Sequence, residues 1–113
     1  MLDFKSFSKT GTGSLSNVYT VPTANSGVVP PILPTTALIK SIRISNPTGS
    51  AITTTVLVVD SSNSNLSINL IKASLAAESE QEVLTQPIVL EQADKIDIVG
   101  NGAIILISLM EIT

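Results

Sequence analysis

The chain has 113 residues, of which 43% are hydrophobic, 13% are charged and 3% are aromatic, and its formal net charge is −3. We expect one domain with one core at this length, and the hydrophobic content excludes a disordered polypeptide. The low charge predicts a surface rich in Ser, Thr and Asn, much of it covered by partner molecules, because proteins kept soluble by charge carry more of it. The alternative is a polar, hydroxyl-rich surface that is open to solvent.

The charge pattern argues against nucleic acid as a partner. The 6 basic residues are scattered along the chain, and 1 Tyr and 2 Phe are too few to form a platform that stacks bases. The longest apolar run, residues 103–107, is far shorter than the roughly 20 residues of a membrane-spanning helix, so we expect no membrane contact. The N-terminal residues lack the apolar segment of a secretory signal, so we expect no signal peptide there.

In chain order, the pattern predicts two parts: an extended N-terminal arm over residues 1–34 and a β-sandwich domain over residues 35–113. Within the arm, Gly11 and Gly13 predict a flexible joint. The stretch that follows, residues 15–21 (LSNVYTV), predicts a short strand.

The end of the arm, residues 28–34, reads VVPPILP. Its prolines exclude a helix and restrict the backbone to an extended form. An apolar extended segment without its own hydrogen-bond ladder is expected to lie across a surface, either that of its own sandwich or that of a neighbour. We therefore predict an interface on the arm with these members: Phe4, Phe7, Val18, Tyr19, Val28, Val29, Pro30, Pro31, Ile32 and Leu33.

Residues 35–60 are predicted to form the central antiparallel hairpin of the sandwich. Ile42 and Ile44 alternate with polar neighbours, which is typical of a strand with one buried face. Residues 52–59 are rich in Thr and Val, whose branching at Cβ favours extended backbone. Between these runs, residues 46–50 (NPTGS) have the composition of a turn.

The remaining chain repeats short strands and turns at a spacing of about 8–12 residues. Residues 100–102 (GNG) predict a hairpin, and residues 103–113 begin apolar on both faces, which predicts a central strand. A helix competes only at residues 70–83, where the apolar spacing is not helical, so we expect at most one turn. The predicted fold is an all-β, antiparallel, jelly-roll-like β-sandwich of about seven or eight strands with an extended N-terminal arm.

Groups that could support catalysis are few. The chain contains no His and no Cys, which removes imidazole bases, thiolate nucleophiles and the usual zinc ligands. Two sets of carboxylates remain as candidates, a glycosidase-like pair among three glutamates and calcium ligands among three aspartates: Glu78, Glu80, Glu82, Asp60, Asp94 and Asp97. The glutamates flank a turn and are predicted to be solvated, and the aspartate spacing matches no calcium loop. We predict no enzyme, no cofactor and no metal site.

Two blocks of the sequence, IRISNPTGSAITTTVLVVDSS and PIVLEQADKIDIVGNGAIILISLMEIT, resemble small virion proteins of tailed bacteriophages. The resemblance covers about residues 38–113. It implies a structural β-sandwich of the particle, either a capsid cement (decoration) protein or a neck or tail accessory protein. The partners it implies are further copies of the chain, in a homo-oligomer that is most often a trimer, and the major capsid protein or another virion protein. It implies a location in the virion after synthesis in the host cytoplasm.

A β-sandwich that binds carbohydrate or a host surface is the alternative function. Sugar sites generally use an exposed aromatic ring, and the aromatic residues here are Phe4, Phe7 and Tyr19. All three lie in the predicted arm, which weakens this alternative. We place binding in the arm, so deletion of residues 1–34 is expected to leave a folded sandwich that no longer assembles.

Overall fold

Nine β-strands account for most of the computed structural model, which describes residues 1–113. One 3-10 turn, Ser61–Asn63, is the sole helical element, and no helix is long and apolar enough to cross a membrane. The strands are β1 (Leu2–Thr10), β2 (Ser16–Thr20), β3 (Thr36–Asn46), β4 (Ile52–Asp60), β5 (Leu66–Leu75), β6 (Ser79–Glu82), β7 (Ile88–Leu90), β8 (Lys95–Val99) and β9 (Ile104–Ile112).

The strands form two antiparallel sheets. In the first sheet the order is β1-β9-β3-β6, with β7 also paired to β3, and in the second it is β2-β8-β4-β5. Because β6 and β7 pair with successive parts of the same edge of β3, they occupy one strand position, and each sheet has four positions. This order, in which the chain passes back and forth between the sheets, is that of a jelly roll. The predicted all-β, jelly-roll-like sandwich is confirmed.

The core lies between the two sheets and consists of side chains that alternate along each strand. Ile42 and Ile44 are fully buried while Arg43 between them is exposed, as the alternation predicts. Strand β9 lies between β1 and β3, which confirms the predicted central position of the last strand. Full burial of an aliphatic side chain of this size contributes about 1.5–3 kcal/mol, so the core dominates the stability.

The predicted central hairpin is wrong, because β3 and β4 lie in opposite sheets. The turn between them is held by bonds from Asn46 both within the turn and to a segment distant in sequence. The buried Asn46 side chain donates from Nδ2 to the Leu75 and Ala76 carbonyls at 3.1 and 3.2 Å, at the end of β5. These bonds turn the chain across the end of the sandwich.

Residues 100–102 likewise connect strands of different sheets, so the hairpin predicted there is also wrong. Their backbone groups bond to the β1–β2 connection instead. The Gly100 N–H donates to the Thr12 carbonyl at 2.9 Å, and the Gly102 N–H donates to the Gly11 carbonyl at 3.0 Å. Two connections that are distant in sequence therefore fix one end of the sandwich together.

Most of the predicted N-terminal arm is part of the sheets. Strand β1 pairs with β9 along its whole length, and β2 pairs with β8. The predicted flexible joint is a fixed crossing: Gly11 is buried, its N–H donates to the Ala103 carbonyl at 2.7 Å, and a Cβ there would lie 2.5 Å from the Gly100 carbonyl oxygen. Only residues 22–34 extend beyond both sheets, and we call them the proline loop.

Candidate interaction surfaces

The predicted arm interface is divided by the structure into a buried part and an exposed part. Tyr19 is 4% exposed, and its ring packs on that of Phe7 with centroids 4.9 Å apart. Val18 and Phe7 are half-buried against the core. Phe4 is 68% exposed, on the outer side of the first sheet. The members that remain exposed in the proline loop are Val28, Val29, Pro30, Pro31, Ile32 and Leu33.

A buried polar cluster explains why Tyr19 belongs to the core. Its hydroxyl donates to Glu111 Oε2 at 2.6 Å, and the Lys5 ammonium lies 2.8 Å from Glu111 Oε1. Glu111 is 7% exposed, so its carboxylate has lost most of its water and is held by these two donors. The cluster joins β1 and β9 of the first sheet to β2 of the second, which is a structural role.

The pKa values of this cluster follow from its contacts. Burial raises the pKa of the Tyr19 hydroxyl, and the Glu111 carboxylate beside it raises it further. The hydrogen bond to Glu111 raises the pKa of Lys5. For Glu111, burial alone would raise the pKa, but the hydrogen bonds from Lys5 and Tyr19 outweigh burial and the net pKa is lowered. The cluster is therefore an ion pair with a neutral tyrosine at neutral pH.

The proline loop is a small hairpin that projects from its own sandwich. Asn25 and Ile32 exchange two backbone hydrogen bonds of 2.8 Å, and the Gly27 N–H donates to the Asn25 side chain. Every residue from 23 to 34 is exposed, and Val29 at the tip is 99% exposed. The sequence left open whether the apolar segment lies on its own sandwich or on that of a neighbour. In this structure the segment does not cover its own sandwich.

The outer side of the first sheet carries an apolar surface that the sequence analysis did not identify. The register places Phe4, Met110 and Leu38 side by side across three strands, and Val89 of β7 continues the row. We call this surface, together with the neighbouring pair on β1 and β9, the apolar face. Its members are Leu2, Phe4, Leu38, Val89, Met110 and Ile112.

An open depression of about 600 Å³ adjoins the apolar face. Its floor contains Ser6, Ser41 and Ser108, which the register places in one row across β1, β9 and β3. Phe4 and Lys40 line its side, with the Lys40 ammonium 5.4 Å from the centre of the Phe4 ring. The irregular pairing between Ile39 and Ser41 leaves Lys40 as an extra residue, which is how a bulge redirects a side chain.

The carboxylates weighed as a glycosidase pair lie on the surface. Arg43 of β3 contacts Glu80 at 3.3 Å and Glu82 at 3.6 Å, and all three side chains are largely exposed. These pairs hold β6 against β3 and are worth about 0–1 kcal/mol each. Glu78 lies outside β6, in a left-handed backbone conformation with φ of 54°.

The three aspartates weighed as calcium ligands have separate roles in loops and strands. Asp94 accepts hydrogen bonds from the backbone of Ser61 and of Glu91, both at 2.9 Å. Asp97 accepts from the Asn17 side chain at 3.0 Å, and Asp60 caps the 3-10 turn that follows β4. All three carboxylates therefore bond to protein donors: Asp60 and Asp94 at neighbouring residues of the 3-10 turn, and Asp97 on β8.

Comparisons with known proteins give a fold likeness. No protein-family model matches the chain, and no curated protein matches it. Among solved structures, it is similar to a chain of the Bacillus endospore appendages, described as a novel family of disulfide-linked pili, with a TM-score of 0.57, 12% identity, and coverage of 100% of this chain and 87% of that one. A chain of infectious bursal disease virus, Gx strain, matches with a TM-score of 0.46, 9% identity, and coverage of 98% and 31%. At this identity the first likeness shows the β-sandwich fold alone.

Proposed function

We propose that this chain is a non-enzymatic structural protein whose function is to form contacts in a larger protein assembly. The observation that carries the proposal is the joint exposure of the proline loop and the apolar face. Val29, Phe4 and Val89 are 99%, 68% and 63% exposed. Only 13% of the residues are charged, so few charged groups offset this exposed apolar surface. Exposed apolar surface of this kind is typical of proteins whose surface is covered by a partner.

Within that role, we propose a cement (decoration) protein of a phage capsid, located in the virion, with a neck or tail accessory protein as the variant. The sequence resemblance to virion proteins supports it, and the jelly roll is a fold that capsid proteins use. The similar appendage protein forms disulfide-linked pili, so it too belongs to an assembly. This chain has no cysteine, so these 113 residues cannot form such a link.

Particle composition tests this proposal. Particles are purified by density gradient from cultures that express the chain at its natural level, and its peptides are quantified by mass spectrometry relative to the main shell protein. We expect a fixed ratio to that protein and density for the sandwich on the outer surface in an electron-microscopy map. Recovery of the chain only in the particle-free fractions contradicts the proposal.

A carbohydrate-binding sandwich is the second candidate, and the depression beside Phe4 is the observation that favours it. Phe4 is the one exposed aromatic ring of the three weighed from sequence, and it stands beside the hydroxyls of Ser6, Ser41 and Ser108. An aromatic face with polar groups beside it matches the two sides of a sugar ring. A glycan array separates the candidates: saturable binding that Phe4→Ala abolishes and Leu66→Ala retains supports the second candidate.

A further inference from the structure

Two exposed apolar surfaces lie at the same end of the molecule and do not cover each other. The proline loop leads into β3 at Thr36, and Thr36 pairs with Ile112 of the apolar face. The loop nevertheless projects into solvent, since Val29 at its tip is 99% exposed, and Phe4, on the β1 edge of the apolar face, is 68% exposed. The radius of gyration of 14.8 Å, against about 13 Å for a compact chain of this length, agrees with a projecting element.

The combined area of these surfaces is large enough for a specific interface. The exposed apolar side chains of the loop and the face together present on the order of 1,000 Å². In a loop-to-face contact one copy contributes its loop and the next its face, so the contact buries about 1,000 Å² in total. A specific protein–protein interface needs about 1,000 Å² or more. The loop and the face are therefore together just large enough for one specific contact.

The chemistry of the two surfaces is complementary. Residues 22–35 contain no charged side chain, and the apolar face has one cation at its border, Lys40 beside Phe4. The backbone of β9 and β3 is paired on both sides within the sheet, so a partner on this part of the face breaks no sheet hydrogen bond. The loop is already closed by the Asn25–Ile32 pair, so its ordering on docking costs little entropy. Two largely uncharged surfaces of this kind favour each other over an acidic or basic partner.

We propose that the proline loop of one copy docks on the apolar face of a second copy of this chain. Each copy then donates one loop and offers one face, so copies that associate in a closed ring leave neither surface exposed. The inference rests on the proposed function and deepens it, because it names a partner and both contact surfaces of the assembly protein. We choose a second copy as the partner because each chain carries both surfaces of the contact, the proline loop and the apolar face.

Disulfide trapping tests the contact, because the natural chain has no cysteine. One preparation carries Val29→Cys in the loop, and a second, tagged preparation carries Val89→Cys on the face. After mixing and mild oxidation, we expect the mixed disulfide to form at least about tenfold faster than in a control pair of Val29→Cys with Ile68→Cys. Ile68 is a fair control because it is 46% exposed and lies on β5, at the edge of the other sheet.

A charge substitution provides a second measurement. Val29→Asp and Phe4→Asp are both expected to convert the oligomer into smaller species, while Ile68→Asp leaves its size unchanged. All three positions are exposed, so the folded state is retained, and a cooperative melt checks this. Mixed disulfides that form at the control rate, or a protein that is monomeric at high micromolar concentration, overturn the inference.

The outcomes separate this inference from the proposed function. Oligomers that assemble without loop–face disulfides refute the contact and leave the assembly role standing. A chain that shows the contact in solution but is absent from purified particles supports the inference and refutes the virion role.

Discussion

At the scale of single residues, Asn46 has the most demanding environment in the sandwich. It is 1% exposed, and its Nδ2 atom lies 2.7, 3.1 and 3.2 Å from the carbonyl oxygens of Ser50, Leu75 and Ala76. Its Oδ1 atom accepts from the backbone and the hydroxyl of Thr48 at 3.0 and 2.6 Å. One side chain therefore pairs polar groups from two chain segments, through one buried bond, to Leu75, and four part-buried ones.

We predict that Asn46→Ala lowers the free energy of unfolding by about 2–4 kcal/mol, because it removes five hydrogen bonds at once and takes the side-chain donor away from the buried Leu75 carbonyl. Asn46→Asp is expected to cost at least as much, since it turns an acceptor toward carbonyl oxygens. Urea denaturation measures both. The matched control is Asn69→Ala on exposed β5, expected within about 0.5 kcal/mol of the natural chain. A change at Asn46 as small as the control would contradict the prediction.

Thr54 is the opposite case, a buried polar group without a partner. Its hydroxyl oxygen is buried and makes no hydrogen bond, although the residue is 0% exposed. We predict that Thr54→Val raises the free energy of unfolding by about 1 kcal/mol, because it replaces the unpaired hydroxyl by a methyl group of similar shape. Thr53→Val, on the exposed side of the same strand, is the control. Thermal denaturation in which Thr54→Val melts below the natural chain would refute this account.

The Glu111 cluster predicts how stability depends on pH. The pKa of Glu111 is lowered in the folded protein, so the stabilisation it provides is present above the unfolded pKa of about 4.3 and is lost as pH falls through the folded value. We predict that Glu111→Gln destabilises the protein by about 1–3 kcal/mol at pH 7, and that this difference shrinks toward zero in strong acid. Urea titrations at several pH values measure it. A difference that is independent of pH would show that the ion pair contributes nothing.

At the scale of secondary-structure elements, strands with a buried face were predicted from the sequence, and the exposed strand β1 was not. Strand β3 was predicted because its buried face gives alternation at Ile42 and Ile44, and β9 was predicted because its first residues are apolar on both faces. Strand β1 was not predicted because only Phe7 of its nine residues is even half-buried, which leaves no alternation to detect. An edge strand of this kind is held by backbone bonds to β9, and those bonds depend on residues a hundred positions away.

The connections between sheets were predicted least well. The turn at residues 46–50 has a composition that suits both a hairpin and a crossing between sheets, and the bonds from Asn46 to the end of β5 favour the crossing. The apolar face was missed for a related reason. Its members lie on four strands, and only the strand register brings Phe4, Leu38 and Val89 together. The sequence signal for this face is that β9 carries apolar residues on both of its sides, one of which faces away from the core.

The two halves of the predicted arm differ in their importance for folding. Deletion of residues 1–34 was expected from sequence to spare the sandwich, but it removes β1, β2 and the buried Tyr19 and Val21. We now predict that this deletion abolishes the cooperative melt. Replacement of residues 26–31 by a short Gly-Ser turn changes the free energy of unfolding by less than about 1 kcal/mol, because all of them are exposed. Circular dichroism melts compare the two, and a folded 35–113 fragment would contradict the prediction.

At the scale of the whole molecule, low charge and exposed apolar surface point in the same direction. Only 13% of the residues are charged, whereas about 25% is usual for soluble globular domains. The side chains of the proline loop are not part of the hydrophobic core, so the core does not explain why they are apolar. Covering the loop and the face in an assembly removes the tendency to aggregate that an isolated copy would have.

We therefore predict a homo-oligomer in solution, with three copies as the expected number. A loop that docks on the face of the next copy is a head-to-tail contact, and such contacts are satisfied completely only when they close into a ring. The number three comes from the resemblance to virion proteins. Light scattering coupled to size exclusion should give about three times the chain mass of 11.8 kDa. The molar mass of the Val29→Asp variant should shift toward that of a single chain, and the molar mass of Ile68→Asp should stay at the value of the natural chain. A natural chain that elutes as a monomer at high micromolar concentration would contradict the prediction, and a ring of another size would correct the number while retaining the contact.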